Sequence, residues 1–174
     1  MATLPPLSSI YDLTDVSDAG AEIVVAANAG QRAKLAEWAG VDAVERFEGT
    51  VTLKRLSGTR FAYEALLDAD VVQSCVVTLE PVRAQIERTV SRVLQLVRKD
   101  TARKRDQEVI DLGGAEEVEE IESPFYDLAG PLLEEFVLAI NPYPRAAGVA
   151  FQSPAVEERT ESPFAVLRGL KAGK

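Results

Sequence analysis

Histidine is missing from this chain, and cysteine, methionine and tryptophan occur once each. Without histidine there is no Ser-His or Cys-His pair to activate a nucleophile, and no imidazole to hold a metal. A single cysteine excludes an internal disulfide and cannot close a structural zinc site within one chain. Aromatic residues are few (6%), and none interleaves with the basic residues, so no platform for stacking bases is expected. No glycine-rich phosphate loop of the Walker or Rossmann type occurs. Positive charge is scarce: 19 Lys and Arg stand against 28 Asp and Glu, a net charge of −9. The molecule as a whole should therefore not be drawn to DNA, naked RNA or anionic lipid. Met1 to Ile10 carry neither a basic region nor a long apolar run, so neither a signal peptide nor a membrane span is expected there, and the reading points to the cytoplasm. The carboxylates Glu116, Glu117, Glu119, Glu120 and Glu122 are too crowded for a tuned acid–base pair and read as repelling charges on a loop. No enzymatic activity, cofactor or metal is expected.

What is present suits one globular domain. The 174 residues are 47% apolar and 27% charged, enough to bury a core. Residues 1–20 read as a loose arm with a short strand near Ile10-Tyr11-Asp12-Leu13. Glu22 to Ala27 is a β-branched strand. Asn28 and Gln31 have the spacing of a capping box, with Leu35, Trp38 and Ala39 on one helical face and Gly40 as the stop. Phe47, Gly49, Val51 and Leu53 alternate with polar residues, and after the turn at Ser57-Gly58 so do Phe61, Tyr63, Ala65, Leu67, Ala69 and Val71. These two runs are expected to pair as an antiparallel hairpin facing one core.

The segment 82–97 is ambiguous. Ile86, Val90, Val93, Leu94 and Val97 fit a helical face, while its β-branched content favours a strand, whose inward face Arg88 and Arg92 would interrupt. Residues 98–123 lack an apolar period and read as a flexible charged loop, with a short strand at Val109-Ile110. Leu128, Leu132, Phe136, Ala139 and Ile140 mark a helix capped at Asp127, with Pro131 in its first turn and Asn141-Pro142 as its end. A linker comes next, then a short helix from Ser162 and Pro163 through Phe164, Leu167 and Leu170.

Charge is unevenly spread. Arg83 to Arg105 holds eight basic residues opposed only by Glu87 and Asp100, whereas Asp106 to Glu135 holds eleven acidic residues and no basic one. Arg98, Lys99, Arg103, Lys104 and Arg105 are the candidate contacts to RNA phosphates or to a partner. The acidic block could hold a basic ribosomal protein, or mimic phosphates against Arg83 to Arg105 until RNA displaces it; alternatively, both blocks are solvated surface and partly neutralise each other. Cys75 reads as a small apolar residue at a strand end, with a reactive thiol or a zinc ligand shared between two chains as the alternatives.

Three segments, in order and spacing, resemble the YceD-like family, the large ribosomal RNA subunit accumulation proteins of bacteria and plastids. The first is Cys75-Val76-Val77-Thr78-Leu79-Glu80-Pro81-Val82. Cys75 takes the first position of the family's C-x-x-C-L step, Thr78 replaces the second cysteine, and Leu79, Pro81 and Val82 fit the leucine and the Pro-Val pair that come after it. The second runs from Asp127-Leu128 through Leu132–Ile140 to Asn141-Pro142-Tyr143-Pro144-Arg145. The third is Ser162 to Leu167 with Gly169-Leu170-Lys171. The resemblance implies a strand after the cysteine step, which decides 82–97 in favour of a strand. It also implies a non-enzymatic factor supporting ribosomal RNA accumulation and large-subunit assembly, with large-subunit RNA or ribosomal proteins as partners. The alternative is an acidic interaction module that binds a basic partner unrelated to ribosomes. The expected architecture is α+β: an antiparallel sheet, open or barrel-like, packed by two or three helices. It comprises an arm (1–20), one domain (21–144) and a linker with a short helix (145–174).

Overall fold

The computed structural model describes residues 5–97 and 118–150. Its centre is a five-stranded sheet in the order β2-β3-β4-β5-β6. The strands are β2 (Ala21–Ala26), β3 (Ala43–Arg55), β4 (Arg60–Ser74), β5 (Pro81–Leu96) and β6 (Val118–Ile121). A two-stranded ribbon pairs β1 (Ile10–Asp12) with β7 (Phe125–Asp127). Helix α1 (Ala29–Ala39) packs on β3, and α2 (Ala129–Ala139) packs on β5 and β4. The α+β class is as expected. The sheet is open rather than a closed barrel among the described residues, with β2 and β6 at its edges.

The hairpin forms in the expected register. Val51 faces Ala65, and Leu53 faces Tyr63 across β3 and β4. Period two puts Phe47, Val51, Leu53, Phe61, Tyr63, Leu67 and Val71 inside, because a slip of one residue would move the whole apolar set into water. Residues 81–96 are a strand, paired with β4 from Ser74–Pro81 to Arg60–Gln95. Fifteen cross-strand pairs outweigh a helical apolar period that one short segment could satisfy only locally. Helix α1 has the full capping box, the Asn28 side chain accepting from Gln31 N–H and the Gln31 side chain from Asn28 N–H. It stops at Gly40, whose φ of +69° suits a residue without Cβ. The Asp127 carboxylate accepts from Ala129 N–H at 3.0 Å and from Ser9 N–H at 2.7 Å, so it both starts α2 and ties down the N-terminal segment.

Two expectations need correction. Residues 5–20 are not loose. Leu7, Leu13 and Val16 are in the core, and the Arg55 guanidinium donates to the carbonyls of Thr14 and Val16 at 2.8 and 2.7 Å. The arm gains its order from β7 and β3, both distant in sequence. The described end of the stretch 98–123 is not loop throughout: Val118–Ile121 pairs with Val93–Leu96 of β5 in parallel, so the sheet is mixed. A parallel neighbour needs a long connection, which the segment between β5 and β6 supplies. The strand expected at Val109-Ile110, the other residues of 98–117, and residues 151–174 with the short helix expected there lie outside the described residues.

Candidate functional site at the cysteine turn

Strand β4 ends at Ser74 and β5 starts at Pro81. Between them Cys75 N–H donates to Glu80 O at 2.8 Å and Leu79 N–H to Cys75 O at 2.9 Å. Proline at the first position of β5 gives up a donor where the ladder begins, a place that tolerates it. Leu79 has φ +61°, the only non-glycine residue with positive φ among the described residues, and its side chain is 77% exposed. A leucine held left-handed and in water stabilises neither the turn nor the core.

The segment after α2 closes over this turn. Val76 N–H donates to Pro144 O at 2.9 Å, and Ala146 N–H donates to Cys75 Sγ at 3.3 Å. The buried Gln73 side chain donates to Asn141 O at 2.9 Å. Ser74 Oγ donates to Asp42 Oδ2 at 2.8 Å, tying in the loop after α1. A small cleft of about 230 Å³ lies here, between Asp42, Ser74 and Val76 on one side and Pro142 and Pro144 on the other. The first two of the three segments singled out in the sequence are thus hydrogen-bonded to each other.

Cys75 is fully buried, as a small strand-end residue would be, yet its sulfur sits among donors. The Thr78 hydroxyl first, then the N–H groups of Ala146, Thr78 and Val77, pull the thiol down to about 6, against the opposing effect of burial. A turn that brings one sulfur to this place does not supply the four ligands that zinc takes. Because the folded thiol ionises below its ordinary value of 9.0, between about pH 6 and 9 the unfolded chain holds a proton that the folded chain has lost. Stability should then rise with pH across that window and lose this part as pH falls through about 6. Cys75→Ser should flatten the rise in urea titrations at successive pH values; a slope equal to that of the parent would refute the thiolate.

A second polar cluster lies where β5, β6 and α2 meet. Arg92 faces inward, opposite Tyr63, and its side chain is 26% exposed. Its guanidinium donates to Glu119 Oε2 at 3.2 Å and to Glu134 Oε2, while the Tyr126 hydroxyl donates to the same Glu119 oxygen at 2.9 Å. Burial alone would lower the Arg92 pKa; the hydrogen bonds from Glu134 and Glu119 outweigh it and leave it raised. Burial, and then the Glu119 bond, push Tyr126 up. Burial pushes Tyr63 up as well, its hydroxyl donating to Leu128 O at 2.9 Å. This is how β5 tolerates the arginine that interrupts its inward face. Arg88, beyond this cluster, is exposed and among the described residues reaches only Glu87 O. A cavity of about 530 Å³ opens beside the cluster, next to Thr89, Ser91 and Glu135.

Of the sequence-singled residues, Cys75, Thr78, Leu79, Pro81 and Val82 come together in the turn. Arg98, Lys99, Arg103, Lys104 and Arg105 lie outside the described residues. Sequence reasoning missed the Arg92–Glu119–Glu134–Tyr126 cluster; the one signal was an arginine recurring on an otherwise apolar strand face. Among the described residues, no group of three or more Cys, Asp or Glu side chains converges to hold a metal, and no helix is long and apolar enough to cross a membrane. No protein-family model, curated protein or solved structure matches the chain.

Proposed function

We propose that this protein is a non-enzymatic binding factor that supports large-subunit ribosomal RNA accumulation and assembly of the large ribosomal subunit. The reading rests on the resemblance to the YceD-like family. The observation that supports it most is the union of the Cys75–Val82 turn with the Asn141–Ala146 step. Two segments whose order and spacing carry the resemblance meet through the Val76–Pro144 hydrogen bond, and the next residue after the second, Ala146, donates to Cys75 Sγ. An exposed leucine held at positive φ in that turn is in keeping with a surface that meets a partner.

A net charge of −9 makes naked RNA a poor partner for the whole molecule. Local contact through Arg98, Lys99, Arg103, Lys104 and Arg105, with acidic surface toward basic ribosomal proteins, reconciles the two. The protein should co-sediment with large-subunit precursors, and its loss should lower large-subunit RNA relative to small. Changing the five basic residues to Gln should weaken the association and flatten its salt dependence. Unchanged association would discard the basic-stretch contact. A deletion strain with normal RNA and subunit ratios would discard the proposed function itself.

A further inference from the structure

The sheet packs one face on the core, and its other face has a pattern of its own. Val24, Thr50, Leu66 and Thr89 stand side by side on β2, β3, β4 and β5. Their parity is opposite to that of the buried Val25, Val51 and Leu67, so they point away from the core. The two large apolar members of the row are in water: Val24 is 58% exposed and Leu66 55%. Carboxylates flank this row on both sides, two residues further along each strand and so about 7 Å away. On one side Glu48, Asp68 and Glu87 lie directly opposite one another on β3, β4 and β5. On the other side Glu22 and Glu64 stand on either side of Thr52.

Like charges directly opposed across a sheet are destabilising, and the row Glu48–Asp68–Glu87 sets three of them on neighbouring strands. One guanidinium serves two of the three: Arg46 lies 2.8 Å from Asp68 Oδ2 and 3.5 Å from Glu48 Oε2. The other Asp68 oxygen is shut off from solvent and accepts no hydrogen bond among the described residues, an exception among buried polar atoms. In the second row Lys54 reaches Glu64 at 3.1 Å. Arg60 and Arg83 stand at opposite ends of the face, and Arg83 is taken by Glu45 at 3.0 Å. The middle of the face is therefore an exposed apolar row between two lines of carboxylate that the chain itself neutralises only in part.

We infer that this face receives a basic amphipathic helix of a partner protein. The helix lies across the strands, its apolar side on Val24 and Leu66 and its lysines or arginines reaching the carboxylates on both sides. The dimensions agree. Val24 and Leu66 are two strands apart, about 10 Å, which is two turns of helix, so apolar residues at i and i+7 meet both. The excess of carboxylate selects cationic flanks and speeds the encounter. A helix suits the place better than an extended peptide, because β3 and β4 are interior strands with backbone groups already paired on both sides. A helix brings its own backbone bonds and needs none from the sheet. A second copy docked by two-fold symmetry would present the same carboxylates and be repelled. The inference goes beyond the ribosomal reading and is tested with a peptide that contains no ribosomal sequence.

The probe is a capped helical peptide of leucine, lysine and alanine, with its leucines along one side and lysines flanking them, titrated into the full chain and followed by backbone amide NMR. Binding should shift the amides of Val24, Thr50 and Leu66 and of the carboxylate rows beside them. The same composition reordered so that the leucines spread around the helix keeps the charge but has no stripe, and should bind at least about tenfold more weakly. A peptide with glutamate in place of lysine should not bind. Leu66→Ser should weaken binding severalfold, and Glu48→Gln with Glu87→Gln should weaken it and flatten its salt dependence. Asp15→Asn with Glu37→Gln removes two exposed carboxylates elsewhere and should leave binding unchanged. All these positions are on the surface, where such changes leave the fold intact; if the Glu48 variant does not fold, Leu66→Ser and the reordered peptide decide. Equal binding of the reordered and parent peptides overturns the proposal, as do parent-like binding by Leu66→Ser, no binding by the parent peptide, shifts confined to another surface, or self-association through this face.

Discussion

Gly49→Val is expected to lower the free energy of unfolding by about 3 kcal/mol, near the upper end of overpacking costs. Gly49 lies on the inward face of β3, where α2 crosses the sheet. A Cβ built there would stand 2.4 Å from Leu132 Cδ1 and 2.9 Å from Cδ2. Leu132 is fully buried, so it cannot swing into solvent to make room. Either the leucine leaves its rotamer or the helix lifts off the strand, and both cost contacts in a close-packed interior. Leu132→Ala alone should cost about 2–5 kcal/mol by leaving a cavity. Together the two should cost less than their sum, because the valine fills the space the leucine leaves. The check is a double-mutant cycle by urea denaturation, with the m-value constant across all four proteins. Additive losses would show that helix and strand do not meet at this point.

Phe136→Ala should have an effect as large, about 3–5 kcal/mol, and should also be felt at the cysteine turn. Phe136 is fully buried, its ring edge-on to Phe47 with centroids 5.3 Å apart. It is the last large anchor of α2 before the chain leaves the helix for the Asn141–Ala146 step that covers Cys75. Weakening the anchor should let that step detach at a free energy below global unfolding. Cys75 reports it: the buried thiol should resist alkylation in the parent protein although it ionises at about pH 6, because reagents need access as well as a thiolate. In Phe136→Ala, alkylation should accelerate by more than the change in global stability accounts for. A rate that tracks global unfolding alone would mean that turn and helix open independently.

Much of the local structure was legible in the sequence because it is set by neighbours along the chain. The capping box at Asn28 and Gln31, the stop at Gly40 and the turn at Ser57-Gly58 each depend on a few adjacent residues. The inward faces of β3 and β4 come from strict alternation between Phe47 and Val71. Segment 81–96 was harder, because its apolar residues satisfy two periods at once; tertiary pairing chose between them. The buried Cys75 was legible as a strand-end residue, but not its polar surroundings, since the Ala146 donor lies 71 positions away.

Sequence alone determined the class of chemistry available here: no histidine, one cysteine, an excess of carboxylate, and therefore no imidazole-based catalysis or intrachain disulfide. It also determined which residues of β3 and β4 face inward. Only the tertiary structure decided that the arm at 5–20 is held, that β6 joins in parallel, and that Arg92 is compensated on a face meant for apolar groups. The physical reason is common to all three. Each depends on pairing between segments tens of residues apart, and such pairing leaves no periodic trace in either segment. The Arg92 guanidinium is tolerated only because the folded chain brings Glu119 and Glu134 to it, and neither glutamate marks that role in its own stretch of sequence.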